Sequence, residues 1–169
     1  MRISVLLGVL LGVPAAVGFG TAPGPQIRLV DSTIQMLSPY DVANPAVGNL
    51  DPVLLGAVQQ AAAAAAADGV AMTITSGWRS VQFQQQLLDE AVLTHGSLGA
   101  ALAFVQTPEV SRHVLGHAVD IGGPEADQWL IVNGSRFGLC QIYANEPWHF
   151  ELATDAVGNC PPLRATAAG

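Results

Sequence analysis

Hydrophobic and polar positions fall into short segments whose period and punctuation can be read in turn. Asp51-Pro52 opens a run of apolar and small residues that closes at Asp68-Gly69. An acidic N-cap, proline at the first helical position and a terminal Gly predict a helix over 52–67. Its Ala61 to Ala67 run reads as a tightly packed or compositionally biased part of that helix. Val70 to Thr75 is short, apolar and partly β-branched, which predicts a buried strand delivering Ser76-Gly77-Trp78-Arg79-Ser80 to its end. Ser80 caps a second helix through about Leu93, and Ser97 to Gln106 predicts a shorter third, stopped by Thr107-Pro108. Strands follow at Gly116 to Ile121, Gly138 to Tyr143 and Trp148 to Leu152, with a helix over 125–133. No internal repeat is visible. Helices and short strands without regular alternation predict an α+β fold, a single domain with a small antiparallel sheet packed with helices.

The front of the chain is different. Residues 1–22 carry Arg2, an apolar stretch from Ile3 to Val13, Pro14 and then small residues, the pattern of a secretory signal peptide. An uncleaved anchor is the rival reading, since Ile3 to Gly20 approaches the roughly 20 apolar residues that span a bilayer. Pro14 and the Gly/Ala tail favour cleavage near Gly18 to Ala22, which leaves no stable membrane insertion. Residues 23–49 are rich in Pro, Gly, Asn and Ser and read as a lead-in, and 50–169 as the domain. Export also suits Cys140 and Cys160, an even number of cysteines in an oxidising compartment, against the alternative of two free buried thiols. A bridge would tie the C-terminal tail to the body and stabilise the fold by about 3 kcal/mol in the chain-entropy model.

At 169 residues the chain has room for one domain. Half of it is hydrophobic and 11% charged, enough apolar material for a core. All six of its basic residues are Arg, against 13 acids, for a net charge of −7. No basic stripe is available to neutralise phosphates, so a nucleic-acid partner is excluded. A monomer is expected.

Of the four histidines, His113 and His149 have carboxylates close in sequence. His113 lies in a loop seven residues before Asp120, which sits in a predicted strand where Ala118 and Asp120 share one face and His117 the other. His149 has Glu146 and Glu151 on either side. Two imidazoles and a carboxylate form a three-ligand set that leaves a fourth position for water, as in catalytic zinc sites. The bland alternative is that both histidines are ordinary polar residues. His95, before Gly96, reads as a helix-end cation, and Gln82 to Gln86 as a solvated helix face. Trp78, Trp148 and Phe150 line a pocket or fill the core. There is no GxSxG, Cys/His nucleophile pair or phosphate loop.

SRHVLGHAVD resembles the SxHxxGxAxD signature of the D-alanyl-D-alanine carboxypeptidase and dipeptidase family of zinc peptidases, the VanY-like peptidases of the M15 type. EPWHFE resembles its ExxH segment, and SGWRS at Ser76 to Ser80 its SGYRS element, with Trp78 replacing tyrosine. The resemblance spans residues 70–152 and implies that His113, Asp120 and His149 bind Zn2+ and that Glu146 is the catalytic base. It further implies that Arg79 contacts the substrate carboxylate or the developing oxyanion, with Ser111 and Gln84 as lesser substrate contacts and Ser76 and Gly77 shaping the turn that aims Arg79. Strand alternation alone would favour Glu151, which shares the face of His149, unless Pro147 bends the chain. The expected partners are peptidoglycan stem peptides, cut at their D-alanyl-D-alanine ends. The alternatives are a stem endopeptidase of the L-alanyl-D-glutamate type and a non-catalytic cell-wall-binding module on the same fold.

Overall fold

A computed structural model of the chain describes residues 36–169, so the expected signal peptide lies outside the described residues. The described elements run in the order α1 (Pro45–Gly48), α2 (Pro52–Ala67), β1 (Thr73–Ser76), α3 (Val81–His95), α4 (Leu98–Ala101), β2 (Ala118–Gly122), α5 (Pro124–Asn133), β3 (Leu139–Gln141) and β4 (His149–Leu152). A 3-10 turn at Gly134–Phe137 joins α5 to β3. The strands form one antiparallel sheet in the order β1-β2-β4-β3, an α+β arrangement.

The predicted caps hold the helices. Asp51 accepts the N–H groups of Val53 and Leu54 at the start of α2, and Ser80 accepts that of Phe83 at the start of α3. Gly96 ends α3 in the left-handed conformation, φ 78°, with His95 in the last turn stacked on Phe104. α2 buries Leu54, Ala57, Val58, Ala61, Ala62 and Ala65, so the alanine run provides a small-residue face. These pack with Ile74, Val119, Ile121, Leu130 and Phe150 in the main core. The indole N–H of Trp129 in α5 donates to Asp68 Oδ2 at 2.8 Å, tying the end of α2 to α5. A second cluster of Leu88, Ala91 and Ala101 packs α3 against α4.

Several predicted elements are shorter than the sequence pattern suggests. The first strand begins at Thr73 rather than Val70. The third helix stops at Ala101, although Phe104 and Val105 still donate to Ala101 O, because the chain turns before Pro108. The strand predicted from Gly138 to Tyr143 is ladder-paired only over Leu139–Gln141. The lead-in contributes more than its composition suggests. Leu37 pairs with Ile74 in an isolated bridge, and Leu37 and Val47 are both core residues. α1 packs so closely that a Cβ at Gly77 would lie 2.0 Å from Ala46 O, and the Trp78 N–H donates to that same oxygen. Cys140 and Cys160 form a disulfide. Among the described residues no helix is long and apolar enough to cross a membrane.

Candidate active site

The sheet register places two of the candidate ligands. Ser76 pairs with Asp120 across β1 and β2, and Asp120 with His149 across β2 and β4. Residues directly opposite in an antiparallel pair project from the same face. Val119 and Phe150, one position on, pair with each other on the opposite face and enter the core. Asp120 Oδ1 lies 3.2 Å from His149 Nδ1.

His113 arrives from the loop before β2. Its backbone carbonyl accepts from Arg79 N–H and from Gly116 N–H, and the Gly116 carbonyl accepts from Asp51 N–H at the start of α2. Gly116 has φ +74°, and a Cβ there would meet Asn49 O at 2.8 Å, so this crossing needs glycine. His113 Nδ1 donates to Gly77 O at 2.8 Å, which leaves Nε2 as the acceptor nitrogen, 3.3 Å from Asp120 Oδ1 and 3.3 Å from His149 Nδ1. One donor atom from each of His113, Asp120 and His149 lies within 4.8 Å of the others, and all three residues are buried. The structure thus brings the three predicted ligands together.

Both carboxylates beside His149 have distinct places. Glu151 Oε1 accepts from His149 Nε2 at 3.1 Å, and Glu151 Oε2 accepts from Arg112 Nε at 2.8 Å. Glu151 therefore holds the outer edge of the imidazole and turns Nδ1 toward Asp120. Glu146 lies on the inner side, with Oε2 3.8 Å from His149 Nδ1 and Oε1 buried without a hydrogen-bond partner. The chain does bend at Pro147. A turn closed by His149 N–H on Glu146 O precedes β4, so the strand alternation does not extend back to Glu146.

Arg79 donates from Nε to Ser76 Oγ at 2.8 Å, from Nη1 to Gln84 Oε1 at 3.2 Å and from Nη2 to Asp120 Oδ2 at 2.8 Å. Asp120 thus turns one oxygen to the histidines and the other to Arg79. Gln84 corrects the expectation of a solvated face. It is 1% exposed, and its Nε2 donates to Gln106 O at 2.8 Å, while Gln82, Gln85 and Gln86 are exposed. One inward position every helical turn suffices for this, and polarity alone conceals it. Ser111 and Tyr143 are buried on the same cleft and the exposed Trp148 lines it, whereas Phe150 belongs to the core and Trp78 packs against it. Arg112 and Gln106 are the supporting residues that sequence reasoning did not single out, whereas Ser76, expected to help aim Arg79, accepts from its Nε. The only prior signal for these two was Arg112 lying inside a motif.

The electrostatics follow from this crowding. Burial opposes ionisation of Asp120, but His113, His149 and Arg79 together hold its carboxyl far below the ordinary range. Burial also opposes charge on His149, yet hydrogen bonds to Asp120 and Glu151 push it up to about 9. Burial lowers the pKa of His113. Glu146 is pushed up to about 7 by burial, with His149 opposing and Asp120 reinforcing the shift. Burial also lowers Arg79, against the pull of Asp120 and Glu146.

The donor set suits a divalent cation of the zinc type. It offers two imidazole nitrogens whose opposite ring nitrogens are fixed by Gly77 O and Glu151, together with one carboxylate oxygen. Around it is a cleft of about 220 Å³ whose lining includes Arg79, Gln84, Ser111, Arg112 and Glu146.

Comparison with known proteins places this arrangement. A D-alanyl-D-alanine carboxypeptidase from Enterococcus faecalis (strain ATCC 700802 / V583) is 36% identical over 112 residues, a match covering 52% of this chain and 42% of the relative. The chain therefore spans less than half the length of that relative. A crystal structure of an alanine variant of the vancomycin-resistance D,D-pentapeptidase VanY in complex with Zn(II) superposes with a TM-score of 0.57 at 33% identity, over 60% of this chain and 71% of that one. VanYB in complex with D-alanine-D-alanine gives a TM-score of 0.57 at 31% identity, over 60% of this chain and 70% of that one. Residues 48–155 match the family model of VanY, D-alanyl-D-alanine carboxypeptidase. With its motifs on the cleft and its match extending over more than half of the chain, this protein belongs to the VanY family of D-alanyl-D-alanine carboxypeptidases.

Proposed function

We propose that the chain is an exported, zinc-dependent D,D-carboxypeptidase that removes the terminal D-alanine from peptidoglycan stem peptides. The observation that carries this reading is the convergence of His113, Asp120 and His149 on one cleft, with Glu146 beside them and its Oε1 buried without a hydrogen-bond partner. His113 Nε2, Asp120 Oδ1 and His149 Nδ1 would hold the ion. When bound, zinc supplies Lewis acidity, activating a water molecule and polarising the scissile carbonyl.

The protein's own groups do the remaining work. Glu146 has a free buried oxygen beside the ligand set, so it can take a proton from the attacking water and return it to the departing amine. Arg79 has more N–H groups than its three partners use, and it presents them to the cleft as a fixed cation for the substrate carboxylate or the developing oxyanion. Ser111 and Gln84 line the same space, Gln84 acting through its grip on Arg79. The cleft is below the roughly 300 to 1,000 Å³ of drug-sized sites, a size that suits the small side chains of a D-alanyl-D-alanine end. Export is supported by the pattern of residues 1–22 and by the disulfide, a bond that persists in oxidising compartments. The working unit in this proposal is a monomer whose domain takes in the core residues Leu37 and Val47 of the lead-in, after a removed signal peptide.

Mass spectrometry of a pentapeptide stem incubated with the zinc-loaded protein tests the assignment. Loss of one alanine is the expected product. Loss of a dipeptide would indicate a dipeptidase, cleavage after L-alanine an endopeptidase, and an intact peptide a binding module.

A further inference from the structure

Residues 156–169 lie beyond the segment that matches the family, yet they are fastened to the catalytic domain and reach its cleft. Cys160 is bonded to Cys140 in β3. Farther on, the Arg164 N–H donates to Ile142 O at 2.9 Å and its carbonyl accepts from Ala144 N–H at 2.8 Å, a parallel bridge alongside Tyr143. The Arg164 guanidinium lies 5.5 Å from the centroid of the Tyr143 ring, and that ring lies 5.0 Å from the ring of His149. Ala167 packs against the buried cluster of Cys140, Ile142 and Tyr143 and lines the cleft. Its carbonyl accepts from Gln106 Nε2 at 2.6 Å. Gln106 in turn accepts from Gln84, which holds Arg79.

The arm therefore meets the site along two lines, through Tyr143 to His149 and through Gln106 and Gln84 to Arg79. We propose that residues 164–167 are a specificity element: they wall the substrate cleft, and the methyl group of Ala167 sets the room left for the end of the peptide. The inference rests on the peptidase reading. With its carbonyl already hydrogen-bonded, Ala167 offers the cleft a small apolar surface. That surface leaves room beside it which a larger side chain at position 167 would fill. The disulfide and the Arg164 bridge hold the wall in place before substrate arrives, so little ordering is required on binding.

Binding of a D-alanyl-D-alanine-terminated pentapeptide tests this, measured by calorimetry on zinc-loaded Glu146→Gln protein so that the peptide is not consumed. Adding Ala167→Trp should weaken binding at least about tenfold, the discrimination a pocket contact of this size gives, with zinc content unchanged. Ala167→Gly, which keeps the space open, should bind like the parent. The pair Cys140→Ser and Cys160→Ser should weaken binding in the same direction as Ala167→Trp. If that pair does not fold, Ala167→Trp alone decides. Equal affinity for parent and Ala167→Trp overturns the role of the arm and leaves the peptidase reading standing. No binding to the parent overturns both.

Discussion

Asp120 and His149 sit directly opposite each other on β2 and β4, and their side chains meet with Asp120 Oδ1 3.2 Å from His149 Nδ1. Backbone pairing thus sets the spacing of two of the three proposed ligands, while His113 is brought to them by a loop anchored on Gly77, Arg79 and Asp51. A one-residue slip between these strands would send both side chains to the opposite face.

Glu146 keeps one buried carboxylate oxygen without a hydrogen-bond partner, whereas Glu151 is bound to both His149 and Arg112. Glu146→Gln should lower turnover by about a hundredfold to ten-thousandfold, the usual range for losing a general base, and leave bound zinc unchanged. Steady-state rates with metal analysis of the same preparation check this, and an unchanged rate would remove Glu146 from the mechanism.

Glu151 acts on His149 from the other side, braced by Arg112. Glu151→Ala should weaken metal affinity by about 10- to 100-fold, the usual cost of losing the outer partner of a ligating histidine. Arg112→Ala should weaken it less, because Glu151 keeps its contact with His149. Competition against a chromophoric chelator measures both.

Gly77 serves the fold and the site together. A methyl group there would lie 2.0 Å from Ala46 O, and the Gly77 carbonyl is the partner of His113 Nδ1. Gly77→Ala should cost about 1–3 kcal/mol of stability, the usual penalty for overpacking, and reduce metal affinity as well. Denaturant unfolding with and without zinc separates the two effects.

Asp127, in the first turn of α5, has a buried carboxylate oxygen without a partner, and burial followed by the charge of Asp120 pushes it up to about 6. The folded state therefore holds this proton at a pH where the unfolded chain, with an ordinary value of about 3.9, has lost it. Stability from this group is present at low pH and declines as pH rises from about 4 to about 6. Asp127→Asn removes the dependence. Its melting temperature relative to the parent should rise between about pH 4 and pH 7, and a constant difference would show that Asp127 does not titrate in this way.

Much of the fold was legible where local chemistry dominates. Asp51-Pro52 and Ser80 start their helices as their side chains predict, because capping is decided within a single turn. The motifs brought forward all three ligand candidates. Other features depend on contacts distant in sequence. Gln84 is buried because Arg79 and Gln106 receive it; the polarity of the run does not mark which glutamine turns inward, and only the family resemblance pointed to Gln84. The alternation that favoured Glu151 held within β4, but the turn at Pro147 placed Glu146 outside its reach. Leu37 and Val47 looked like parts of a lead-in, since core membership is set by what they meet, Ile74 among them.

The central claim, that His113, Asp120 and His149 hold a zinc ion used for hydrolysis, is tested most directly by following release of D-alanine from a pentapeptide stem before and after chelation. The account predicts that chelated protein stops releasing D-alanine and that one equivalent of Zn2+ per chain restores the rate. Full activity in the metal-free protein would contradict it.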